Sequence, residues 1–204
     1  MSQLSTPLLQ NVPRETFLKL TQYVELLVKW QKSINLLSKN SDEIWHRHIE
    51  DSLQLVSHLP TNNPKRILDI GSGGGLPAIV LAVAVPEHSY HLIESDRKKA
   101  IFLAECARQL DLPRVKVSNE RIEKVADKAD IITARALAEV GLLLDYSLPF
   151  FDEDAFCLFL KGKNWDMEVA KAKINWRFEC DSFPSHTSGE GRVLKISQVF
   201  RITV

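Results

Sequence analysis

Apolar side chains recur every three or four positions from residue 17 to residue 34, with mostly polar residues between them. This period places the apolar set on one face of an amphipathic helix. Pro13 suits the first turn of such a helix, and Asn35 marks its end. The apolar set consists of Phe17, Leu20, Val24, Leu27, Trp30 and Ile34. An indole such as Trp30 can stack on a nucleotide base, but its place in the stripe favours burial against the rest of the chain.

After a polar link, the sequence predicts one or two short helices between residues 42 and 59. A turn-forming stretch follows at 60–64, where two prolines flank two asparagines. We expect a boundary here between an N-terminal helical extension, residues 1–64, which packs on the core, and a second domain, residues 65–204.

From residue 66 the pattern changes to alternating apolar runs and helical periods, which is typical of a parallel sheet with crossover helices. The predicted strands are 67–70, 90–93, 115–117, 130–133 and 155–160, and the predicted helices are 78–84, 97–110, 137–148 and 164–174. Two further strands, 178–183 and 193–199, flank a glycine-bearing link at 188–191, which is a hairpin signal. The predicted fold class is therefore α/β, with a mostly parallel sheet that ends in an antiparallel hairpin.

Composition and charge exclude several classes of protein. The 204 residues are 45% apolar and 25% charged, which suits one globular domain with an appendage. Their formal net charge is zero, so any RNA contact must come from a local patch. The longest apolar run, 76–85, is too short for a bilayer, and no signal peptide is recognisable. Cys106, Cys157 and Cys180 lie far apart, which indicates reduced thiols in a cytoplasmic protein, without disulfides or a metal site.

The stretch from Ile67 to Pro77 reads I-L-D-I-G-S-G-G-G-L-P: an apolar strand, a glycine loop and the entry to a helix. In α/β proteins this order brings backbone N–H groups to a ligand at the carboxyl edge of the sheet. Glycine permits a positive φ and has no Cβ to block the ligand. The loop therefore predicts a cofactor site, although a glycine-rich turn without a ligand has the same composition.

The spacing of the glycines separates two cofactor classes. The dinucleotide fingerprint G-x-G-x-x-G needs a third glycine where this chain has Leu76 or Ala78, and alanine is sometimes allowed there. The pattern D-x-G-x-G-x-G is complete, in Asp69, Gly71, Gly73 and Gly75. It resembles motif I of S-adenosylmethionine (SAM)-dependent methyltransferases, which implies SAM as the cofactor.

Further polar residues follow the predicted strands. Glu94 ends the second strand, where a carboxylate can accept hydrogen bonds from both hydroxyls of a cofactor ribose. Ser95 or Asp96 then caps the next helix. After the third strand, Ile122 is placed to pack on an adenine ring, and Arg135 falls at the carboxyl edge of the fourth strand.

A second motif, R-H-I-x-D-S, lies in the helical segment before the predicted boundary and contains Arg47, His48, Asp51 and Ser52. A His–Asp pair can act as a general base with the group that orients it. It can also belong to a packed helix terminus, and the residues alone favour that second interpretation.

Together these motifs resemble the bacterial small-subunit ribosomal RNA methyltransferase G family, also called the glucose-inhibited division protein B family. The resemblance extends over nearly the whole chain, and motif I combined with R-H-I-x-D-S and A-R-A is much narrower than motif I alone. Two positions depart from the family: Ala78 stands where glycine is frequent, and Leu37 where threonine is frequent, so no substrate contact is assigned to Leu37. The matching positions include Asn35, Leu36, Arg47, His48, Asp51, Ser52, Asp69 to Pro77, Glu94, Ser95, Lys98, Lys99, Phe102, Leu103, Arg121, Glu123, Arg135, Leu160 to Gly162, Gly189, Glu190 and Arg192.

The resemblance implies a Rossmann-like class I SAM-methyltransferase fold with a seven-stranded sheet, and methyl transfer to guanine N7 at nucleotide 527 of 16S rRNA. It implies 16S rRNA or the 30S subunit as partner; we expect a monomer. The implied SAM-binding residues are Asp69, Gly71, Gly73, Gly75, Leu76, Glu94, Ser95, Ile122, Glu123 and Arg135. The candidates for RNA contact are Arg47, His48, Lys161 and Arg192.

Guanine N7 carries a lone pair and no proton, so its methylation needs no general base, and positioning can supply most of the acceleration. No catalytic residue is therefore assigned. A ribose 2′-O-methyltransferase uses a Lys-Asp-Lys-Glu set; Lys161 and Glu190 could supply half of it, but Asp130 lies at the wrong edge of the sheet. An NAD-linked oxidoreductase and a non-catalytic ribosome-binding module are alternatives from other classes, and the latter predicts rRNA binding without methyl transfer.

Overall fold

A single sheet forms the centre of the computed structural model, which describes residues 7–10, 12–37 and 43–202. Its strands are β1 (Arg66–Ile70), β2 (Ser89–Ile93), β3 (Val115–Ser118), β4 (Ala129–Arg135), β5 (Phe151–Lys161), β6 (Trp176–Pro184) and β7 (Arg192–Arg201). Their order is β3-β2-β1-β4-β5-β7-β6. β1 to β5 pair in parallel, whereas β7 is antiparallel to β5 and β6. The predicted mostly parallel sheet with an antiparallel hairpin is confirmed.

Seven α-helices accompany these strands in the described ranges: α1 (Pro7–Gln10), α2 (Arg14–Gln31), α3 (Asp51–Leu53), α4 (Ala78–Ala84), α5 (Arg97–Gln109), α6 (Val140–Ser147) and α7 (Trp165–Ala172). A π-helical turn (Trp45–Glu50) and a 3-10 turn (Gln54–His58) flank α3, so the R-H-I-x-D-S motif lies in one helical segment. The helix predicted from residue 137 begins later, because Ala136 has a φ of 52° and directs the chain into a turn.

Two apolar layers cover the faces of the sheet. Residues of α2, α4 and α5 form one layer, and residues of α6 and α7 contribute to the other. A parallel strand buried on both faces carries apolar residues at successive positions. In β1, Ile67 belongs to the first layer, and Leu68 and Ile70 belong to the second. The run of apolar residues before the glycine loop therefore reflects a central strand.

The apolar face of α2 packs on the first layer. Its buried residues are Leu20, Tyr23, Leu26 and Leu27. The Trp30 ring lies 5.6 Å from the Phe102 ring of α5, so this indole packs against the core, as its place in the stripe indicated. The helical extension thus contacts the same layer as α4 and α5, while its predicted end at residue 64 stays a prediction.

The strand register brings the motifs to one edge of the sheet. Asp69 pairs with Thr133 across β1 and β4, and Ile70 pairs with Ile93 across β1 and β2. The glycine loop, Glu94 and Arg135 therefore all lie at the carboxyl edge. Asp130 lies at the opposite edge, where the Arg66 guanidinium donates to it at 2.9 Å.

Cys106 and Cys157 are buried free thiols, and Cys180 is a half-buried free thiol. Among the described residues, no group of three or more His, Cys, Asp or Glu side chains is placed to hold a metal ion. In the described part of the chain, no helix is long and apolar enough to cross a membrane.

Candidate functional site

The glycine loop has three residues in the left-handed region: Gly71, Gly73 and Gly75 have φ values of 68°, 55° and 88°. A Cβ on Gly75 would lie 2.6 Å from Ile79 Cγ1, and a Cβ on Gly71 would lie 2.6 Å from Leu137 Cδ1. A Cβ on Gly73 would meet only a backbone oxygen at 3.8 Å. Packing therefore requires glycine at position 75, whereas at Gly71 the exposed Leu137 side chain could move aside and the positive φ is the main constraint. Gly73 faces open space in which a ligand can approach the backbone.

Glu94 connects the glycine loop to the next helix. Its Oε2 accepts from the Gly73 N–H at 2.8 Å, and its Oε1 accepts from the Asp96 N–H at 2.7 Å. Each carboxylate oxygen can accept a second hydrogen bond, so two acceptor sites remain for a vicinal diol. Asp96, rather than Ser95, caps α5 by accepting from the N–H groups of Lys98 and Lys99. Glu94 therefore fixes the loop and can still hold a ribose.

Asp69 is a buried carboxylate beneath the glycine loop, with only 1% of its surface exposed. Thr133 Oγ1 donates to its Oδ1 at 2.6 Å, while its Oδ2 has no hydrogen-bond partner among the described residues. Burial raises the pKa of Asp69 to about 6, and the nearby Glu94 adds to the shift. Asp69 is thus enclosed beneath the loop and does not line the pocket beside it.

The raised pKa of Asp69 predicts a pH dependence of stability. The folded state binds more protons than the unfolded state between pH ~4 and ~6, so the free energy of unfolding falls as pH rises through this window. The contribution is roughly 3 kcal/mol. Urea unfolding from pH 4 to 7 should show that Asp69→Asn, which cannot titrate, loses this dependence. If the free energy of unfolding of both proteins changed with pH in the same way, the raised pKa of Asp69 would be contradicted.

Beside the glycine loop lies a pocket that we call the loop pocket, lined by Gly71, Ser95, Ile122, Glu123, Leu137 and Tyr146 among others. Ile122 is half-buried in a 3-10 turn, and the Asn119 side-chain amide donates to the carbonyls of Glu94 and Ser95. The predicted residues Ser95, Ile122 and Glu123 are thus brought together. Leu137 and Tyr146 were not predicted, since apolar and aromatic residues in a helical pattern carry no binding signal.

The helical extension supports the glycine loop through Tyr23. This residue is fully buried, and its hydroxyl donates to the Gly74 carbonyl. Sequence reasoning missed this contact because Tyr23 lies next to the apolar stripe and reads as part of it. The extension therefore helps to fix the backbone that forms one side of the site.

Tyr23→Phe should lower the free energy of unfolding by about 1 kcal/mol, the contribution of one hydrogen bond. It should also weaken SAM binding several-fold, because the loop loses an anchor. The matched control is Tyr90→Phe, since the Tyr90 hydroxyl donates to Leu81 and Val85 carbonyls away from the loop. Calorimetric titration with SAM should separate the two variants; equal SAM affinities would show that Tyr23 only stabilises the fold.

Arg135 is directed toward the R-H-I-x-D-S motif. One guanidinium nitrogen lies 3.0 Å from the Arg47 carbonyl and 2.6 Å from His48 Nδ1, and Nε lies 3.3 Å from Asp51 Oδ2. Arg135 does not line the loop pocket. Its predicted contact with SAM stays a prediction, and the contacts observed here make it an anchor for the helical extension.

Asp51 joins three segments of the chain at this edge. Its Oδ1 accepts from the Gln54 amide and the Thr187 hydroxyl, each at 2.8 Å, while Oδ2 faces Arg135. His48 is therefore not oriented by Asp51, and the two do not form the base-and-orienter pair that the motif can also encode. The packed interpretation of the motif fits this geometry.

Lys161 is less available for RNA than the sequence suggested. Its ammonium lies 2.6 Å from Glu168 Oε2 and donates to the Ala138 carbonyl at 2.8 Å, with its side chain only 10% exposed. Glu168 also accepts from the Val140 N–H at the start of α6. The sequence could not reveal this ion pair, because the partner belongs to a later helix.

Lys161→Met should therefore lower the free energy of unfolding by roughly 3 kcal/mol, because it leaves Glu168 without its counter-charge in a mostly buried place. The control is Lys163→Met, whose pair with Glu190 is largely exposed and should contribute little. Denaturant unfolding measures both. If Lys161→Met is as stable as the control but loses affinity for rRNA, the result would support the prediction that Lys161 contacts RNA.

A second space, the edge cavity, opens beyond β4 and β5. It is lined by Arg47, His48, Arg135, Lys161, Ser188 and Arg192 among others, and its volume is about 290 Å³. Arg47 is half-exposed at its rim, and the Arg192 guanidinium lies 5.5 Å from the centre of the Trp165 ring. All four predicted RNA contacts, Arg47, His48, Lys161 and Arg192, thus line one cavity, although the ammonium of Lys161 is held by Glu168.

The described residues fit SAM. Glu94 has free acceptor sites for ribose hydroxyls, Gly73 leaves room at the backbone, and Ile122 offers an apolar surface to a ring. Leu76 differs, since its side chain is buried in the first apolar layer. A contact of Leu76 with SAM would have to use its backbone.

The sequence matches a known family over most of its length. Residues 17–192 match the model of GidB, described as rRNA small subunit methyltransferase G. The ribosomal RNA small subunit methyltransferase G of Gluconobacter oxydans (strain 621H) is 44% identical over 194 residues, which cover 94% of this chain and 98% of that protein. Both comparisons point to the same family.

Solved structures support the fold. The ribosomal protein L11 methylase of Lactobacillus delbrueckii subsp. bulgaricus has a TM-score of 0.59 at 18% identity, covering 72% of this chain and 76% of that chain. A mutant of MtNAS in complex with S-adenosylmethionine has a TM-score of 0.59 at 16% identity, covering 92% and 76%. These likenesses confirm the predicted SAM-methyltransferase fold.

Proposed function

Because this chain belongs to the rRNA small subunit methyltransferase G (GidB) family and is a SAM-dependent rRNA methyltransferase, we propose that it methylates N7 of a guanine in 16S rRNA, either free or within the 30S subunit. The family resemblance implies nucleotide 527. We place the reaction in the cytoplasm, where ribosomes are assembled, and expect the enzyme to act as a monomer.

The observation that supports N7 most directly is the state of the polar groups in the edge cavity. His48 Nδ1 faces a guanidinium, Asp51 accepts from Gln54 and Thr187 and pairs with Arg135, and Lys161 is paired with Glu168. Among the described residues of this cavity, no carboxylate or imidazole is oriented as a general base. Guanine N7 needs none, because its lone pair is already free, whereas a ribose hydroxyl must lose a proton.

The chain then acts mainly by positioning. SAM, when bound, supplies an electrophilic methyl group. Glu94 would accept from the ribose hydroxyls, the glycine loop would present N–H groups, and Ile122 would pack on the adenine. Arg47 and Arg192 lie at the edge cavity, where their charges suit RNA phosphates. Holding the two reactants in line can supply a large part of the rate enhancement.

The test uses tritiated SAM with two acceptors purified from a strain that lacks the enzyme: intact 30S subunits and free 16S rRNA. We expect label that maps to a guanine N7, and the better of the two acceptors shows whether the enzyme needs the folded subunit. Tight SAM binding without label in either acceptor would overturn the proposed substrate, and rRNA binding that is independent of SAM would favour a non-catalytic module.

A further inference from the structure

The contact between Arg135 and His48 determines the tautomer of the imidazole. The guanidinium nitrogen lies 2.6 Å from His48 Nδ1. A guanidinium has only donors, so Nδ1 must be the acceptor. An imidazole that accepts at Nδ1 is neutral and carries its proton on Nε2. Arg135 therefore leaves His48 with a single N–H donor, at Nε2.

The surroundings of His48 keep that donor neutral. The ring is mostly buried, with 7% of the residue exposed, and burial together with the charges of Arg135 and Arg47 lowers the pKa of His48 to about 4. Within the described ranges Nε2 has no hydrogen-bond partner. Unlike the enclosed Asp69 Oδ2, it keeps some accessible surface. His48 lines the edge cavity, which lies at the same carboxyl edge of the sheet as the glycine loop, so this cavity is where its free N–H donor can meet a base.

We infer that His48 Nε2–H donates to O6 of the target guanine and selects guanine over adenine, while Arg135 acts as a positioning residue that fixes the donor. This inference rests on the proposed function. On the major-groove edge of guanine, O6 is an acceptor adjacent to N7, whereas adenine presents an amino donor at the same place. A donor opposite that amino group would leave two N–H groups facing each other without an acceptor.

The neutrality of the donor suits the product. Methylation places a positive charge on the purine, so an imidazolium beside O6 would repel the product as it forms. A neutral N–H can hold O6 without occupying the N7 lone pair, which must stay free for the methyl group. The volume of the edge cavity, about 290 Å³, is near the lower limit of small-ligand sites, about 300 Å³. A cavity of this size suits a single flipped base.

The first test changes the substrate. 30S subunits are reconstituted from 16S rRNA that carries guanine or 2-aminopurine at the target; 2-aminopurine keeps N7 but lacks O6. The wild-type enzyme should methylate the 2-aminopurine subunit at least about tenfold more slowly, the loss expected for one hydrogen bond. Equal rates would overturn the inference. No transfer to the guanine subunit would instead be a failure of the proposed function.

The second test changes the side chain. His48→Asn keeps an acceptor near the Nδ1 position for Arg135 but has no donor near Nε2. It should methylate guanine about tenfold more slowly and treat both subunits alike. His48→Gln places an amide donor near Nε2 and should restore part of the preference. If His48→Asn folds, binds SAM and keeps the wild-type preference, His48 does not read O6.

The third test needs neither RNA nor SAM. In protein labelled with ¹⁵N-histidine, NMR couplings to the ring protons report the tautomer of His48 directly. We expect the neutral, Nε2-protonated form at pH 7 in the wild type, and loss of that constraint in Arg135→Met. An imidazolium, or an Nδ1-protonated ring in the wild type, would overturn the inference regardless of catalytic activity.

Discussion

Replacing Glu94 by glutamine should raise the Kd for SAM by about 100-fold, because the carboxylate is expected to make several charge-assisted hydrogen bonds at once. Glu94 accepts from the N–H groups of Gly73 and Asp96 with its two oxygens. In Glu94→Gln, whichever way the amide is turned, its NH₂ faces one of these donors. The variant also loses one acceptor for the ribose. Calorimetric titration with SAM measures the change.

The control for this variant is Glu87→Gln, an exposed carboxylate outside the loop pocket. It should bind SAM like the wild type. The melting temperature of each variant separates loss of binding from loss of folding, since Glu94→Gln should remain folded. Wild-type SAM affinity in folded Glu94→Gln would remove Glu94 from the cofactor site.

Alanine substitutions at two positions of the glycine loop should have different effects: Gly75→Ala should mainly lower stability, and Gly73→Ala should mainly weaken SAM binding. Gly75→Ala should unfold the protein or lower its stability by more than about 3 kcal/mol, since it combines an unfavourable positive φ with overpacking. Its Cβ would lie 2.6 Å from Ile79 Cγ1 and 3.0 Å from the Tyr23 hydroxyl. Gly73→Ala has open space and should cost about 1 kcal/mol from backbone strain alone.

The two variants differ in SAM binding for the same reason. The new methyl group of Gly73→Ala points into the space where a ligand would approach the backbone, so the folded variant should bind SAM at least about tenfold more weakly. Thermal melts and SAM titration of both proteins give the comparison. A Gly73→Ala protein that binds SAM normally would place the cofactor elsewhere.

Much of the fold could be predicted from the sequence, because the pattern that indicates a helix, a strand or a turn lies in residues close to one another in the chain. The period of α2, the alternation of strands and helices and the hairpin link at 188–191 all correspond to observed elements. The glycine loop accounts for three of the left-handed residues, but four non-glycine residues also have a positive φ: Asp111, Ala136, Asp154 and Gln198. The φ of Ala136, 52°, delays α6. A non-glycine residue in that region carries no local sign of it.

The candidate site was less accessible to sequence reasoning, since its contacts join distant segments. The position of Glu94 could be predicted because it directly follows β2, and the structure places its carboxylate against the glycine loop; its contact with SAM stays a prediction. The fixing of the glycine loop by Tyr23, and the pairing of Lys161 with Glu168, depend on tertiary packing. Arg135 fell at the predicted edge, but its direction toward His48 and Asp51 is set by the helical extension.

The central claim, SAM-dependent methylation of guanine N7 in 16S rRNA, is tested most directly by the chemistry of the product. 30S subunits from a strain without the enzyme are incubated with SAM and either wild-type protein or Glu94→Gln, and the rRNA is digested and analysed by mass spectrometry. At a SAM concentration well below the expected Kd of Glu94→Gln, we expect N7-methylguanosine mainly with the wild type. A methyl group on a ribose, on another base, or at equal yield with Glu94→Gln would contradict the claim.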